Sequence, residues 1–314
     1  NGILFGRNSQ INVGGLMATT LNISDDDFFN GRWSFASIDG VNAQDAFIHN
    51  QGDISALDNG YIALVSPNIL NEGNLNSPGG SVALHSADAV VMSFAGQQLL
   101  NIETDQASLD AAIKNSGSIY ADGGQVLLTA AATSGLLKTV IDNSGVISAQ
   151  RIEQSGGRIF LSAGSDTHQG DILNSGLIIG SQQTYGDGGS IEINGGKIAQ
   201  LGVVNANGKG TGSGGNININ AQDGIVIANN SHTFANGGDN GDGGMIRYFT
   251  FGQAAFYNGS LMEAKGGMDS GDGGFIEVSG IQQVLIDGLA DTSAANGDTG
   301  LFYIDPTDID IIAG

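Results

Sequence analysis

Cysteine is absent from this 314-residue chain, which excludes disulfide bonds, thiolate metal sites and cysteine nucleophiles. No apolar run approaches the roughly 18 residues that a membrane-spanning helix needs. Cations are also scarce, because 10 Lys and Arg stand against 32 Asp and Glu and leave a net charge of −22. Nucleic acid and anionic membranes are therefore not expected as partners, since every phosphate contact needs a cation.

Glycine is abundant, with 52 residues against three prolines and 6% aromatic residues. The glycines do not follow a G-X-Y period, which excludes collagen, and 40% hydrophobic residues argue against disorder. Stacked repeats satisfy these observations. In such a fold small aliphatic side chains fill a core that grows in one dimension, while glycine forms the corners.

An Asn-x-Gly motif recurs along the chain and marks the repeat. Successive motifs are 21 (71−50), 44 (115−71), 28 (143−115) and 31 (174−143) residues apart, so the 44-residue interval predicts two turns of similar length. The asparagines predict a ladder of stacked side-chain amides. An equal explanation is that Asn and Gly tolerate left-handed turns. The motifs begin at Asn50, Asn71, Asn115, Asn143 and Asn174.

Gly-Gly doublets precede segments in which aliphatic and polar residues alternate, such as residues 125–128, 190–193 and 216–219. Alternation places the aliphatic side chains on one face of a strand and the polar ones on the other. We therefore predict an all-β solenoid in which successive coils pair in parallel, about 4.8 Å apart.

One stretch, residues 104–114, has helical character. Thr104 is suited to the N-cap, and Leu109, Ala112 and Ile113 recur at helical spacing. The pattern predicts one short α-helix that lies outside the coil without interrupting the stack.

The start of the chain, Asn1-Gly2-Ile3-Leu4-Phe5-Gly6 followed by residues 11–20, resembles the second half of the secretion domain of two-partner-secretion exoproteins. This is the family of filamentous haemagglutinin and the high-molecular-weight adhesins of Gram-negative bacteria. That family carries Asn-Pro-Asn-Gly-Ile at this place, of which the last three residues remain here as Asn1, Gly2 and Ile3. Further matches follow in family order at residues 119–130, 271–280 and 304–309.

The resemblance implies a right-handed parallel β-helix that a dedicated outer-membrane transporter exports to the cell surface or beyond. Residues 1–95 would be the carboxy-terminal part of the haemagglutination-activity-like secretion β-helix. Residues 96–114 would be the helical excursion, and residues 115–314 the continuing β-helix with Gly-Gly repeats. Because the chain opens in mid-pattern, we expect it to be a fragment. The residues predicted to be recognised by the transporter are Asn1, Gly2 and Ile3.

Residues 245–251 are rich in aromatic side chains for a chain that has few of them. They predict a surface for ligand binding or lateral contact. Its candidate residues are Arg247, Tyr248, Phe249 and Phe251.

Asp-Gly turns resemble calcium-binding loops, because Asp side chains and turn carbonyls supply the oxygen ligands that Ca²⁺ prefers. They do not keep the Gly-Gly-x-Gly-x-Asp register, so turn formation is the expected role and calcium the alternative. The candidate ligands are Asp187, Asp242 and Asp272. Four scattered histidines, His49, His85, His168 and His232, do not predict zinc, and no cofactor is expected.

We predict a non-catalytic secreted adhesin or extracellular fibre segment, with a host or bacterial surface glycan or protein as its ligand. One alternative is a β-helix carbohydrate-active enzyme or a hemophore-like exoprotein that captures a ligand. The ten cations show no clustering into a proton-abstracting site, which argues against a lyase. A second alternative is a self-assembling filament subunit with homotypic contacts, because an uncapped solenoid exposes strand edges.

Overall fold

Strands and tight corners of one continuous coil make up most of the molecule. The computed structural model describes residues 2–37, 46–95, 98–109, 111–132, 139–152, 155–164 and 169–306. In this part of the chain, 26 strands form one parallel sheet, and two small antiparallel sheets accompany it. The predicted parallel β-helix is confirmed.

The strands are short and follow one another closely. In the first half they are β1 (Gly2–Phe5), β2 (Gln10–Thr19), β3 (Ser34–Ala36), β4 (Phe47–Asn50), β5 (Asp53–Val65), β6 (Asn68–Asn71), β7 (Asn74–Asn76), β8 (Ser81–Ser86), β9 (Ala89–Ala95), β10 (Gln98–Gln106), β11 (Ala112–Asn115), β12 (Ser118–Tyr120), β13 (Gln125–Ala130), β14 (Thr139–Asn143) and β15 (Val146–Ser148). In the second half they are β16 (Arg151–Ile152), β17 (Ser155–Gly156), β18 (Arg158–Ala163), β19 (Asp171–Asn174), β20 (Leu177–Ile179), β21 (Ser190–Gln200), β22 (Val203–Asn205), β23 (Asn216–Ile227), β24 (His232–Phe234), β25 (Met245–Thr250), β26 (Gln253–Phe256), β27 (Leu261–Glu263), β28 (Phe275–Gly280), β29 (Gln283–Ile286), β30 (Leu289–Asp291) and β31 (Leu301–Pro306).

Each turn of the coil, here called a rung, places strand segments on three faces, and each segment pairs in parallel with its equivalents in the neighbouring rungs. Face A consists of β1, β4, β6, β11, β14, β19, the ends of β21 and β23, β26 and β29. Face B consists of the starts of β2 and β5, then β7, β12, β15, β20, β22, β24, β27 and β30. Face C consists of the ends of β2 and β5, β8, β13, β18, the starts of β21 and β23, β25, β28 and β31.

Alternate side chains of these strands point inward and form the core. On face A an isoleucine occupies the same inward position in seven successive rungs, and each is at most 2% exposed. Burying such a side chain stabilises the fold by about 1.5–3 kcal/mol relative to leaving it exposed. This column consists of Ile48, Ile69, Ile113, Ile141, Ile172, Ile198 and Ile225.

The predicted amide ladder is confirmed, and it lies inside the coil. The Nδ2 group of Asn50 donates to Oδ1 of Asn71 at 2.8 Å, and the same bond repeats from Asn71 to Asn115, from Asn115 to Asn143 and from Asn143 to Asn174. Asn174 then donates to Oε1 of Gln200 at 3.0 Å. All six side chains are buried, so the ladder satisfies polar groups that would otherwise be costly in the interior.

The glycine of each Asn-x-Gly motif is required by the close approach of neighbouring rungs. A Cβ atom on Gly117 or Gly145 would lie 2.1 Å from the carbonyl oxygen of the equivalent glycine one rung earlier. That separation is far inside van der Waals contact. Only glycine therefore fits this corner of the stack.

The 44-residue interval is one rung and not two, because β6 pairs directly with β11 and places Asn71 beside Asn115. The extra residues leave the coil after β8 and form the antiparallel pair β9 and β10. The chain also leaves the coil earlier, after β2, and this segment contains β3, which pairs with β9. The three strands form the excursion sheet, which packs on the outside of face C in the first four rungs through a second apolar cluster.

The predicted helix at residues 104–114 is wrong. Thr104 lies in β10 opposite Val90, and Ala112 and Ile113 lie in β11 on face A. Packing decides this, because Leu99 and Ile102 of β10 contact the apolar cluster under the excursion sheet. The division of the chain at residues 95 and 114 stays a prediction.

The one helix among the described residues is α1 (Asp25–Phe29), which lies in the first excursion. Ser24 caps it by accepting a hydrogen bond from the backbone N–H of Asp27 at 3.0 Å. Asp25, Asp26 and Asp27 occupy its first turn, where the helix dipole favours negative charge. No helix in the described ranges is long and apolar enough to cross a membrane.

Candidate functional site

The predicted transporter-recognition residues lie at the first rung. Ile3 pairs with Ile48 and packs partly buried against the core. Gly2 lies against Phe47, because a Cβ atom at this position would be 2.7 Å from the phenylalanine ring. Asn1 lies outside the described residues. The role of all three in transporter recognition stays a prediction.

The predicted contact surface lies on the outside of face C near the carboxy-terminal end of the stack. The Arg247 guanidinium carbon lies 4.7 Å from the centre of the Phe249 ring, and Nε donates to Oε2 of Glu277 at 3.0 Å. The ring of Phe249 meets that of Phe251 edge to face at 5.2 Å. Phe251 is 51% exposed, so a cation and two aromatic rings are presented together.

Tyr248 is not part of that surface, and its assignment to it is wrong. Its side chain is fully buried, and its hydroxyl is 2.7 Å from Oγ1 of Thr233 across the interior of the same rung. Burial raises the pKa of this phenol above its ordinary value. Tyr248 therefore belongs to the core, and Thr233 is the polar residue that satisfies its hydroxyl.

The three candidate calcium ligands accept hydrogen bonds from backbone N–H groups of the following rung. Oδ1 of Asp187 accepts from Ser213 N at 2.9 Å, that of Asp242 from Asp272 N at 2.8 Å, and that of Asp272 from Asp298 N at 2.8 Å. The described residues contain no group of three or more His, Cys, Asp or Glu arranged to hold a metal ion. The corner geometry supports the turn-forming role of these aspartates.

The histidines do not gather into a site in the described part of the chain. His49 Nε2 lies 2.8 Å from Oε2 of Glu72, and His232 stacks on Phe234. His85 is buried between face C and β10, with Nε2 2.9 Å from Oγ1 of Thr104, and burial lowers its pKa to about 4. His168 lies outside the described residues.

A groove follows the corner between faces B and C, and sequence reasoning singled out Asp242 and Asp272 in its lining but missed Arg151 and Arg158. One section of it encloses about 1200 Å³ between Arg158 and Leu301, over a floor of glycines. Arg151 and Arg158 line one end together, and Asp242 and Asp272 line the other. The available signal was the Gly156-Gly157 doublet, which places Arg158 first on a face C strand and brings Arg151 to the same corner.

A second surface is formed by aromatic side chains around α1. Phe29 is 83% exposed, and Phe28 contacts both Phe29 and Trp33 edge to face. Trp33 in turn packs on Phe94 of β9 at 5.6 Å between ring centres. These side chains therefore join the helix to the excursion sheet and leave one face of the cluster exposed.

The family model described as the TPS secretion domain matches residues 1–174 of the chain. The chain belongs to this family. The matched residues end at Asn174, the last asparagine of the amide ladder. Membership means that the chain comes from a two-partner-secretion exoprotein, which engages an outer-membrane transporter and is secreted by a Gram-negative bacterium to the surface or the medium.

Among solved structures, the secretion domain of HMW1 from Haemophilus influenzae is similar to this TPS domain chain, with a TM-score of 0.69 and 22% sequence identity. The alignment covers 97% of this chain and 78% of that one. At this identity the likeness supports the fold alone. The search of curated proteins gives no match.

Proposed function

We propose that this TPS domain chain is a non-catalytic segment of a secreted adhesin or extracellular fibre. The observation that supports the proposal is the uninterrupted stack of rungs from β1 to β31, which repeats the same outward positions at every rung. A rod of this kind presents side chains at fixed spacing along an extended surface. The corner aspartates Asp187, Asp242 and Asp272 each accept a hydrogen bond from a backbone N–H group of the following rung, as turn-forming residues do.

Two surfaces have separate roles in this proposal. Asn1, Gly2 and Ile3 would contribute to recognition by the transporter, in keeping with the Asn-Gly-Ile sequence of the family. The exposed group Arg247, Phe249 and Phe251 would contact a glycan or protein on another cell, or a neighbouring rod. An aromatic face with an adjacent guanidinium suits either the apolar side of a sugar ring or a protein surface.

One experiment in cells tests both roles of the full-length exoprotein expressed with its transporter. The double change Asn1→Ala and Gly2→Ala should reduce the secreted fraction at least several-fold, measured by immunoblot of medium and cells. The control Ile11→Ala removes a partly buried core side chain of the same rung without touching the motif, and it should be secreted normally. Equal secretion of the double variant and the parent would contradict the assignment.

The second arm compares adherence at equal secretion. Arg247→Ala with Phe249→Ala should lower adherence to target cells, whereas Leu177→Ala, an exposed change on face B, should not. Cleavage of a glycan by the purified protein would contradict the non-catalytic role. Filaments of the purified protein in electron micrographs would support the self-assembly alternative.

A further inference from the structure

Two arginines, Arg151 and Arg158, line one end of the corner groove. The side chain of Arg151 rests on the backbone of Gly157, since a Cβ atom there would lie 3.0 Å from Cβ of Arg151. Arg158 is the next residue and points outward at the start of β18. The fold therefore places two of the ten cations of the chain at the same end of one groove, although the protein carries a net charge of −22.

Neither arginine is neutralised within the described residues. Arg151 donates from Nη1 to the carbonyl oxygen of Gly188 at 3.3 Å, and its Nε is buried without a hydrogen-bond partner. Neither residue forms an ion pair with a carboxylate in the described ranges. Both residues line the groove, and guanidinium groups suit a carboxylate, because their planar arrangement of N–H groups matches its two oxygens.

The wall of the groove changes character from rung to rung. One outward residue of face C per rung forms a column that begins with Arg158, continues through polar Ser190 and Asn216, and ends with apolar Met245, Phe275 and Leu301. Successive positions are about 4.8 Å apart, which is close to the length that one pyranose ring adds to an extended 1,4-linked chain. An aromatic ring and a thioether are suited to the apolar face of a sugar.

The floor of the groove has no free strand edge for a peptide. The N–H groups of Gly189 and Gly215 donate across the corner to Gly180 and Ala206, and their carbonyl oxygens accept from Asn216 and Met245 of the next rung. A peptide could not add itself as a strand here, because the backbone groups are already paired. Recognition must come from side chains, which favours a sugar chain over an extended peptide.

The far end of the groove limits how many negative charges a ligand can carry. Asp242 and Asp272 line it about three and four rungs from Arg158, which is roughly 14 to 19 Å at 4.8 Å per rung. Their carboxylates would repel a polyanion, as would the net charge of the protein. The free oxygens of the same carboxylates suit the hydroxyl groups of neutral sugars.

We propose that this groove binds an extended, mostly neutral oligosaccharide that carries one carboxylate, with the carboxylate held by Arg151 and Arg158 and a neutral ring lying against Phe275. The inference gives the proposed adhesive role a ligand class. It stands on the groove and does not depend on secretion or on the Arg247 surface.

The test is a titration of the purified chain with two matched probes, glucuronosyl-xylotriose and xylotetraose, followed by calorimetry or amide chemical shifts. The acidic probe should bind at least tenfold more tightly than the neutral one. Arg158→Gln should remove that difference, and Arg158→Lys should keep part of it, because lysine retains the charge without the planar pair of donors. Phe275→Ala should weaken the binding of both probes, and the control Lys114→Gln, which changes an exposed cation of face A outside the groove, should affect neither.

Several results would overturn the proposal. They are equal affinity for the two probes, no saturable binding up to about 10 mM, tenfold selectivity that survives in Arg158→Gln, or equal binding of a tetrapeptide with one glutamate. The comparison of the two probes on the parent chain tests the proposal even if a variant fails to fold. Loss of glycan binding together with normal secretion and adherence would leave the proposed function intact.

Discussion

At the scale of single residues, the amide ladder is the feature that most constrains the chain. Every Nδ2 donates in the same direction along the stack, from Asn50 towards Gln200, so each amide between these two ends is both a donor and an acceptor. The next position of the column is Ile227, and Nε2 of Gln200 is buried without a partner. The ladder thus ends in a costly unpaired donor where the column becomes apolar.

Asn115→Ala tests the ladder at its centre. The change leaves Nδ2 of Asn71 without its acceptor and removes the donor to Asn143, both in the buried interior. We expect the free energy of unfolding to fall by about 2–6 kcal/mol, from two unsatisfied groups at about 1–3 kcal/mol each. Denaturant unfolding followed by circular dichroism measures it.

The control for this prediction is Asn12→Ala, because Asn12 is an exposed asparagine in a strand of the same coil. It should change stability by less than about 0.5 kcal/mol. If both alanine variants unfolded at the same denaturant concentration as the parent, the ladder would not contribute to stability as described.

The sequence predicts most of these residue positions, because the spacing of the motifs alone aligns the asparagines and the glycines of successive rungs. The buried position of Tyr248 follows from the same spacing. Aligning the doublets Gly214-Gly215 and Gly243-Gly244 places Ile246 and Tyr248 opposite the inward residues Ile217 and Ile219, and Arg247 and Phe249 outside. Aromatic content suggested a surface, whereas the period of two determines which side chains reach it.

At the scale of elements, the excursion sheet is the part of the fold that could not be predicted from local sequence. Residues 104–114 carry a capping residue and helical spacing, yet Thr104 and its neighbours pair with β9 because face C offers an apolar surface there. In these rungs Met17, Ala63, Ala83 and Leu127 point outward and are covered. That surface exists only after the rungs have stacked, so nothing local in residues 98–106 specifies the pairing.

His85 makes the attachment of this sheet sensitive to acid. Its pKa is lowered to about 4 by burial, whereas the unfolded chain binds a proton near the ordinary value of 6.5. Between these values the unfolded state binds more protons than the folded state, so stability falls as the pH falls. The loss from this residue should begin below pH 6.5 and reach about 3 kcal/mol below pH 4.

Fluorescence of Trp33, the only tryptophan of the chain, reports on this region because its ring packs on Phe94 of the excursion sheet. We expect the unfolding midpoint in denaturant to fall between pH 6.5 and 4.5 by more in the parent than in His85→Gln, which keeps a polar side chain that does not titrate. A variant whose midpoint changes with pH as steeply as that of the parent would rule out this role for His85.

At the scale of the whole molecule, stacking makes the rungs equivalent and leaves their outward positions free to differ. Face C is covered by the excursion sheet near β2 and β8, polar in the middle, and carries Arg247 and Phe249 further on. The fold class and the family follow from the repeat, because the interior must be filled in the same way at each rung. The groove does not follow from it, because Arg151 and Arg158 become neighbours only across a folded corner.

The measurement that tests the continuous stack most directly is the distance between outward positions of one column, read by electron spin resonance on introduced cysteine pairs. The chain has no native cysteine, and Asp53, Leu177 and Leu289 occupy the same exposed column of face B, four and eight rungs apart. Allowing for the label arms, Asp53→Cys with Leu177→Cys should give about 19 Å, and Asp53→Cys with Leu289→Cys about 38 Å, both in narrow distributions. Distances that do not double between the pairs, or a broad distribution for the longer one, would contradict a single continuous parallel β-helix.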